Sequence, residues 1–307
     1  MAASPATGPS LRVENSGQYV PYIDPASKEF GMKNLQNMFC AKLLVVFIFA
    51  AYAAFAQAEI VGNEDRLTNR GYKEKHQLSS AEMKARFGGI GRIECPWISG
   101  TVFLVQSQDI VITAGHIFRD EKGRARGQPS KCTIKFFYSK ARYTIDPRRM
   151  TNGLDLNAAV TFDWVVLGLN SPVVDVRPYS LQIRPTKEDK IEEELLVVSA
   201  GHEGWKRHPN NEPSFGECIE LGKLTEVKET AVMHTDCDGG GGSSGSPVFA
   251  RKAESFSYSV IALLHGKFEF DEPYRFNKQL WKVTSRAIMV SSPLAAAVVS
   301  LAAKAGQ

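Results

Sequence analysis

The sequence lacks the residue spacings that usually bind zinc. Its 307 residues include five cysteines and six histidines, yet no C-x-x-C and no H-E-x-x-H pattern occurs among them. Such spacings bring cysteine and histidine side chains together around structural and catalytic zinc ions. Their absence argues against a zinc site, and we predict neither a metal ion nor another cofactor.

The charge is not dominated by one sign. Lysine and arginine number 37 and aspartate and glutamate 33, which leaves a net charge of +4. The dense basic stripe with interleaved aromatic residues that marks many nucleic-acid-binding proteins is missing. The hydrophobic and charged fractions, 43% and 23%, are those of an ordinary globular protein. We therefore expect no nucleic-acid partner.

The apolar run at residues 43–55 is too short to span a bilayer comfortably. Lys33 and Lys42 precede it, and the small-residue motif Ala-Gln-Ala, ending at Ala58, follows it. That order is typical of a secretory signal peptide. We predict that residues 32–58 are a signal peptide cleaved after Ala58 and that the protein is secreted or periplasmic, without a stable membrane span. A permanent anchor is the alternative.

Residues 1–31 are rich in alanine, serine, proline and glycine and show no hydrophobic period. We predict that they are a disordered or non-native extension. Because a signal peptide normally stands at the extreme amino terminus, we hypothesise that translation starts at Met32. The predicted folded domain is then residues 59–307.

Cysteine usage agrees with export. Cys40 would be removed with the signal peptide, and an even number of cysteines remains, as in disulfide-bonded exported proteins. Four cysteines permit three pairings. Proximity along the chain, on adjacent predicted strands, favours Cys95–Cys132 and Cys218–Cys237.

From about residue 88 onward, short segments rich in β-branched and aromatic residues alternate with turn residues, a pattern typical of strands. Such spacing favours antiparallel barrels over alternating strand–helix units. Near the end, Ser292 and Pro293 are suitable first residues of a helix, and Gly306 follows it. We therefore predict an all-β fold with a C-terminal helix. The predicted strands are 100–107, 109–114, 132–139, 163–169, 194–201, 218–224, 231–236 and 259–265.

The stretch 234–249 contains the motif G-x-S-G-x-P around Ser244. The flanking Gly242 and Gly245 permit a sharp turn that aims neighbouring N–H groups at one point. A serine hydroxyl there can attack a carbonyl while the N–H groups of Gly242 and Ser244 form an oxyanion hole. A flexible glycine–serine linker is the alternative, but Cys237 before the motif and a strand-like segment after it argue against that.

A nucleophilic serine needs a base, and the base needs a carboxylate to orient it. His116 lies where an apolar strand meets a small-residue turn, which would hold an imidazole at the edge of a cleft. Asp163 begins another apolar strand, and a carboxylate there needs a partner such as a histidine N–H. The order His116, Asp163, Ser244 along the chain makes the combination more telling than any one residue.

Three segments, VITAGHIF, FDWVVLGL and GGSSGSPVF, resemble the signature segments of chymotrypsin-fold (trypsin-like) serine peptidases. The resemblance is nearest the secreted bacterial branch that includes the glutamyl endopeptidases, and it runs from about residue 60 to the C-terminal helix. It implies two antiparallel six-stranded β-barrels with a catalytic cleft between them. It also implies that His116 is base and then acid, that Asp163 orients His116, and that Ser244 attacks.

The sequence departs from that family at two positions. The animal enzymes carry an aspartate just before the nucleophile, which pairs with a freed Ile-Val amino terminus. Ser243 stands there instead, so we expect that Ile60-Val61 cannot form this pair. Ile117 replaces the cysteine that follows the histidine in many relatives.

The residues that would select the substrate are less well defined. Asp238 lies six residues before Ser244, where a trypsin-like enzyme keeps the acid that selects arginine or lysine; its alternative role is to cap the turn after Cys237. His265 lies near the position at which glutamyl endopeptidases hold a histidine, displaced by about one residue, and such a shift turns a strand side chain to the other face. We expect a preference for basic residues and structural roles for His202 and His234.

The sequence thus predicts a secreted, monomeric serine endopeptidase that acts on protein or peptide substrates through an acyl-enzyme intermediate. One alternative is a catalytically silent binding protein of the same fold, which the intact triad positions disfavour. Another is an esterase or lipase, which would need G-x-S-x-G on a strand-to-helix turn and the histidine last.

Overall fold

The computed structural model describes Val61 and residues 65–304, except 121–123, 158, 185–192, 201–211, 228–229, 252–257 and 277–278. The predicted extension at 1–31, the signal peptide at 32–58 with its cleavage site after Ala58, and His202 lie outside the described residues. Among the described residues, no helix has the length and apolar character needed to cross a membrane.

Two short helices precede the first barrel, and each begins at a side-chain cap. Ser79 accepts a hydrogen bond from the Glu82 N–H, and the Glu82 carboxylate accepts one from the Ser79 N–H, a reciprocal capping box. Tyr72 of the first helix stacks on Phe215, with ring centroids 4.2 Å apart. The helices thereby pack onto the second sheet. The elements are β1 (Leu67–Thr68), α1 (Asn69–Lys75) and α2 (Ser80–Phe87).

The next six strands form a closed antiparallel barrel in the order β2-β3-β4-β7-β6-β5. Every residue of the apolar strands β4 and β7 is buried. The strands are β2 (Ile90–Glu94), β3 (Ser99–Leu104), β4 (Ile110–Ala114), β5 (Thr133–Phe136), β6 (Tyr143–Asn152) and β7 (Trp164–Leu169).

The remaining strands form a second sheet. Its strands are β8 (Ser180–Leu181), β9 (Glu194–Ser199), β10 (Ser214–Val227), β11 (Thr230–Thr235), β12 (Pro247–Ala250), β13 (Ser259–Phe276) and β14 (Gln279–Met289). Strand β9 pairs with both β10 and β12, so the six strands β9–β14 form a closed ring of antiparallel pairs. The two-residue strands β1 and β8 are attached to β10 and β13.

One apolar cluster joins the two sheets. It contains Phe103 and Trp164 of the barrel, Phe215 and Phe249 of the second sheet, and Leu294 of the last helix, α3 (Ser292–Ala303). Burying large apolar side chains of this kind stabilises a fold by about 2 kcal/mol each. The predicted all-β fold class and C-terminal helix are confirmed.

The structure contains disulfides between Cys95 and Cys132 and between Cys218 and Cys237. The first joins the turn after β2 to the residue before β5. The second links β10 to the segment that leads into the Ser244 loop. The first disulfide closes a loop that contains His116, and the second closes a loop that ends just before the Ser244 loop. Such closure stabilises a fold by about 3 kcal/mol.

Candidate active site

The ends of two paired barrel strands bring His116 and Asp163 together. In the antiparallel pair of β4 and β7, Ala114 lies opposite Trp164, so the residues just after β4 meet the residue just before β7. A 3-10 turn at Gly115–Ile117 then carries His116 outward. The backbone N–H of His116 donates to Asp163 Oδ1 at 2.6 Å, and its Nδ1 lies 2.6 Å from Oδ2. Because a carboxylate only accepts hydrogen bonds, Nδ1 carries a proton, and in the neutral imidazole Nε2 therefore presents a lone pair.

The carboxylate of Asp163 is almost fully buried, with its side chain 3% exposed. Burial raises the pKa of Asp163, but the charge and hydrogen bonds of His116 and His265 lower it by more, so the pKa lies well below its usual range. Asp163 is therefore ionised at neutral pH, and it stabilises positive charge on the imidazoles that contact it.

Ser244 lies in a tight loop that contacts both sheets. Gly242 and Gly245 have φ angles of 91° and 84°, a region that favours glycine. A Cβ atom on Gly245 would lie 2.5 Å from Thr113 Oγ1 and 2.6 Å from the Thr101 carbonyl oxygen. The loop and the barrel therefore approach each other as closely as glycine allows.

The backbone and hydroxyl of Ser244 each have a defined partner. The Ser244 carbonyl accepts a hydrogen bond from the Thr101 N–H at 2.9 Å. The Ser244 hydroxyl donates to the carbonyl of His265 at 3.3 Å. Ser244 thus lies between β3 of the barrel and β13 of the second sheet.

Thr101 is a fully buried supporting residue that the sequence did not reveal. Its hydroxyl donates to the Gly242 carbonyl at 2.9 Å and accepts from the Ala200 N–H and the Ser246 hydroxyl, at 2.8 and 3.0 Å. The only signal in the sequence is a polar residue inside the apolar segment GTVFLV, and such a residue must find partners when it is buried.

His265 contacts the same carboxylate as His116. Its Nδ1 lies 2.5 Å from Asp163 Oδ2, and its ring meets that of His116 edge to face, with centroids 5.4 Å apart. Ligand atoms of His116, Asp163 and His265 lie within 4.8 Å of one another, and imidazole and carboxylate are donors that transition metals accept. The hydrogen bonds from the ring N–H groups of His116 and His265 to Asp163 already account for the proximity of these atoms.

A comparison with protein-family models matches residues 100–255, just over half of the chain, to the trypsin-like peptidase domain. This chain belongs to the trypsin-like peptidase family. The matched part of the peptidase extends from β3 through the Ser244 loop and therefore includes His116 and Asp163. A search of curated proteins finds no match.

Solved structures of other proteases are similar to this trypsin-like peptidase. A Glu endopeptidase in complex with MPD superposes with a TM-score of 0.55 at 10% identity, covering 78% of this chain and 98% of that one. The protease Anisep from Arthrobacter nicotinovorans gives a TM-score of 0.47 at 12% identity, covering 71% and 97%. At such low identity, the likeness to the Glu endopeptidase shows the fold alone.

The two expected specificity residues of the peptidase both have hydrogen-bond partners within the protein. Asp238 is 2% exposed, and its carboxylate oxygens accept the N–H groups of Val61 and Asp65 at 2.6 and 3.2 Å. Asp238 therefore anchors the segment around Val61 and Asp65, and its expected role in a substrate pocket stays a prediction. The ring of His265 faces Asp163 within the site, and its expected contact with the substrate also stays a prediction.

His234 is a buried residue of the peptidase core, as expected for a structural role. Its Nδ1 lies 2.8 Å from the Thr284 hydroxyl, and its ring contacts Phe268 and Phe270. Burial and then the charge of Arg286 lower the pKa of His234 to about 4. The imidazole is therefore neutral at physiological pH.

Proposed function

We propose that this chain is an exported serine endopeptidase that hydrolyses peptide bonds with Ser244, His116 and Asp163. The observation that carries the proposal is the double hydrogen bond between His116 and Asp163, at 2.6 Å through both the backbone and the ring. It fixes the tautomer that a general base needs. The trypsin-like peptidase family supplies the reaction class.

The proposed reaction begins with rotation of the Ser244 hydroxyl from the His265 carbonyl toward His116. Nε2 of His116 takes the hydroxyl proton while Oγ forms a bond to the peptide carbonyl carbon. The resulting imidazolium is stabilised by the ionised Asp163. His116 then returns the proton to the leaving amine as the carbon–nitrogen bond breaks, and water releases the acyl group by the same steps.

The negative oxygen of the tetrahedral intermediate needs donors that are already in place. In the proposal these are the N–H groups of Gly242 and Ser244, and each contributes about 3 kcal/mol to the transition state. Two observations support this role: the left-handed backbone of Gly242 permits the sharp turn, and the hydrogen bond from Thr101 to the Gly242 carbonyl holds that turn in place.

Export is the second part of the proposal. It is supported by the signal-peptide pattern at residues 32–58 and by the two disulfides, which persist in oxidising compartments. Mass spectrometry of protein recovered from outside the cytoplasm tests it. We expect a mature chain that begins near Glu59; a recovered peptide from residues 1–31 would contradict this start.

The catalytic assignment is tested with a fluorophosphonate probe and a panel of fluorogenic peptides varied at the residue before the cut. We expect probe labelling and hydrolysis by the native chain and neither by Ser244→Ala. Glutamate belongs in the panel because a Glu endopeptidase shares the fold, and arginine and lysine belong there as the expected basic substrates. A folded native chain that neither reacts with the probe nor cleaves any peptide would instead favour a binding protein.

A further inference from the structure

His265 contacts all three residues of the proposed triad. Its ring Nδ1 lies 2.5 Å from Asp163 Oδ2, and its ring packs edge to face on His116. Its backbone carbonyl accepts the hydroxyl of Ser244. Because Asp163 only accepts hydrogen bonds, the Nδ1 atoms of both histidines carry protons that point at one carboxylate oxygen.

A β-bulge gives His265 this orientation. In the pairing of β13 with β14, Leu264 lies opposite Ala287 and Gly266 lies opposite Arg286, so His265 is the extra residue on β13. A bulge of this kind turns a side chain away from the regular alternation of the strand. On the other side, the Leu264 carbonyl accepts the Gly245 N–H at 2.7 Å, which keeps the bulge beside the Ser244 loop.

We propose that His265 is a positioning residue of this site, which holds Asp163 through its imidazole N–H and the resting Ser244 hydroxyl through its carbonyl. The inference rests on the proposed function and adds a fourth residue to it. His265 takes no proton from the substrate and forms no bond to it.

The second imidazole has two physical consequences. It fixes the Asp163 carboxylate in the plane that His116 requires, and a loss of such alignment lowers the rate of reaction more than it lowers substrate affinity. It also shares the negative charge of Oδ2 between two donors, so Asp163 stabilises the His116 imidazolium less than it would alone. Among the residues that the structure describes, the titratable groups in contact with the His265 ring are Asp163, just before β7, and His116, just after β4.

Two substitutions separate the ring from its donor. His265→Phe keeps an aromatic ring and removes the N–H, whereas His265→Asn places an amide N–H near the Nδ1 position and removes the ring. We expect His265→Phe to lower kcat about tenfold to a hundredfold, with KM changed less than about twofold. We expect His265→Asn to keep most of the native kcat. His76→Phe, at a histidine that pairs with Glu217, is the matched control and should keep the native rate.

The pH profile of kcat/KM adds a readout that a merely structural role would not move. Without the second donor, Asp163 favours the His116 imidazolium more strongly. We therefore expect the acid limb of the kcat/KM profile to shift to higher pH in His265→Phe and to stay near its native position in His265→Asn.

The inference would be overturned by native rates and an unshifted pH profile in a folded His265→Phe. It would also be overturned if His265→Phe lost activity and His265→Asn lost as much. A native chain that shows neither probe labelling nor peptide hydrolysis would instead overturn the proposed function. Thermal unfolding of each variant shows that it is folded.

Discussion

The hydroxyl of Thr101 donates a hydrogen bond to the carbonyl of Gly242 at 2.9 Å. Thr101 lies on strand β3 of the first barrel, and Gly242 lies in the loop of the second sheet that carries Ser244. The same hydroxyl accepts the Ala200 N–H, just after β9. One buried oxygen therefore couples the geometry of the proposed oxyanion hole to the packing of the two sheets.

We predict that Thr101→Val both destabilises the protein and lowers kcat. The substitution preserves shape but leaves the buried Ala200 N–H and Gly242 carbonyl without this partner, at a cost of about 1–3 kcal/mol per group. Urea unfolding and peptide hydrolysis measure the two effects. Thr144→Val, at an exposed threonine that accepts from Asn170, is the control and should change stability by less than about 0.5 kcal/mol. Equal changes in stability and in kcat for the two variants would contradict the coupling between the Ser244 loop and the packing of the two sheets.

We predict that alanine is not tolerated at Gly245 but is tolerated at Gly216. At Gly245 the φ of 84° is strained for alanine, and its Cβ would lie 2.5 Å from Thr113 Oγ1. At Gly216 the nearest atom to a new Cβ is 3.8 Å away, an ordinary contact. We expect Gly245→Ala to lose about 2 kcal/mol or more of stability, in the range of backbone strain, together with most activity. Native-like unfolding of Gly245→Ala would show that the loop can move away from the barrel.

The sequence revealed those parts of the fold and site that depend on local pattern. Short β-branched segments such as 163–169 predicted strands because β7 is apolar and buried along its whole length. Strand β6 was not predicted, because its polar run Asp146–Arg149 interrupts the hydrophobic pattern. Helices α1 and α2 were also missed, although the Ser79–Glu82 capping box of α2 is a local signal, because both helices are short and depend on packing of residues such as Tyr72 against a distant strand.

The role of His265 depended on a feature that a single sequence does not display. Alternation along β13 alone leaves open which face a residue occupies, and one bulge reverses the answer. The role of Asp238 was hidden for a related reason, because its partners Val61 and Asp65 lie 177 and 173 positions away along the chain. Long-range hydrogen bonds of this kind follow from the fold rather than from local spacing.

We predict that Asp238→Asn loosens the segment around Val61 and Asp65 without changing the residue that is preferred before the cleaved peptide bond. The carboxylate accepts two backbone N–H groups, and an amide keeps only one acceptor oxygen, so about 1–3 kcal/mol of stability is lost. Limited proteolysis near residues 61–66 should become faster in the variant. The peptide panel provides the opposing outcome, because a selective loss of cleavage after arginine and lysine would place Asp238 in the substrate pocket.

We predict that protonation of His234 is one cause of acid destabilisation. Its pKa is lowered to about 4 in the folded protein by burial and by Arg286, whereas an unfolded histidine has a pKa of about 6.5. Between these values the unfolded state binds more protons, so the free energy of unfolding falls as the pH decreases. From pH 7.5 to pH 5.0 the expected loss is about 2 kcal/mol.

His234→Gln tests this assignment because glutamine stays neutral over the same range and offers polar atoms to the Thr284 hydroxyl. Urea unfolding at pH 7.5 and 5.0, in a Ser244→Ala background that prevents self-digestion, measures the pH dependence of each protein. The variant should be less stable at pH 7.5, because the ring contacts with Phe268 and Phe270 are lost, yet it should lose about 2 kcal/mol less on acidification. If both proteins lose the same free energy of unfolding on acidification, so that the difference between them is equal at both pH values, the acid sensitivity belongs to other groups. His234 would then contribute packing alone.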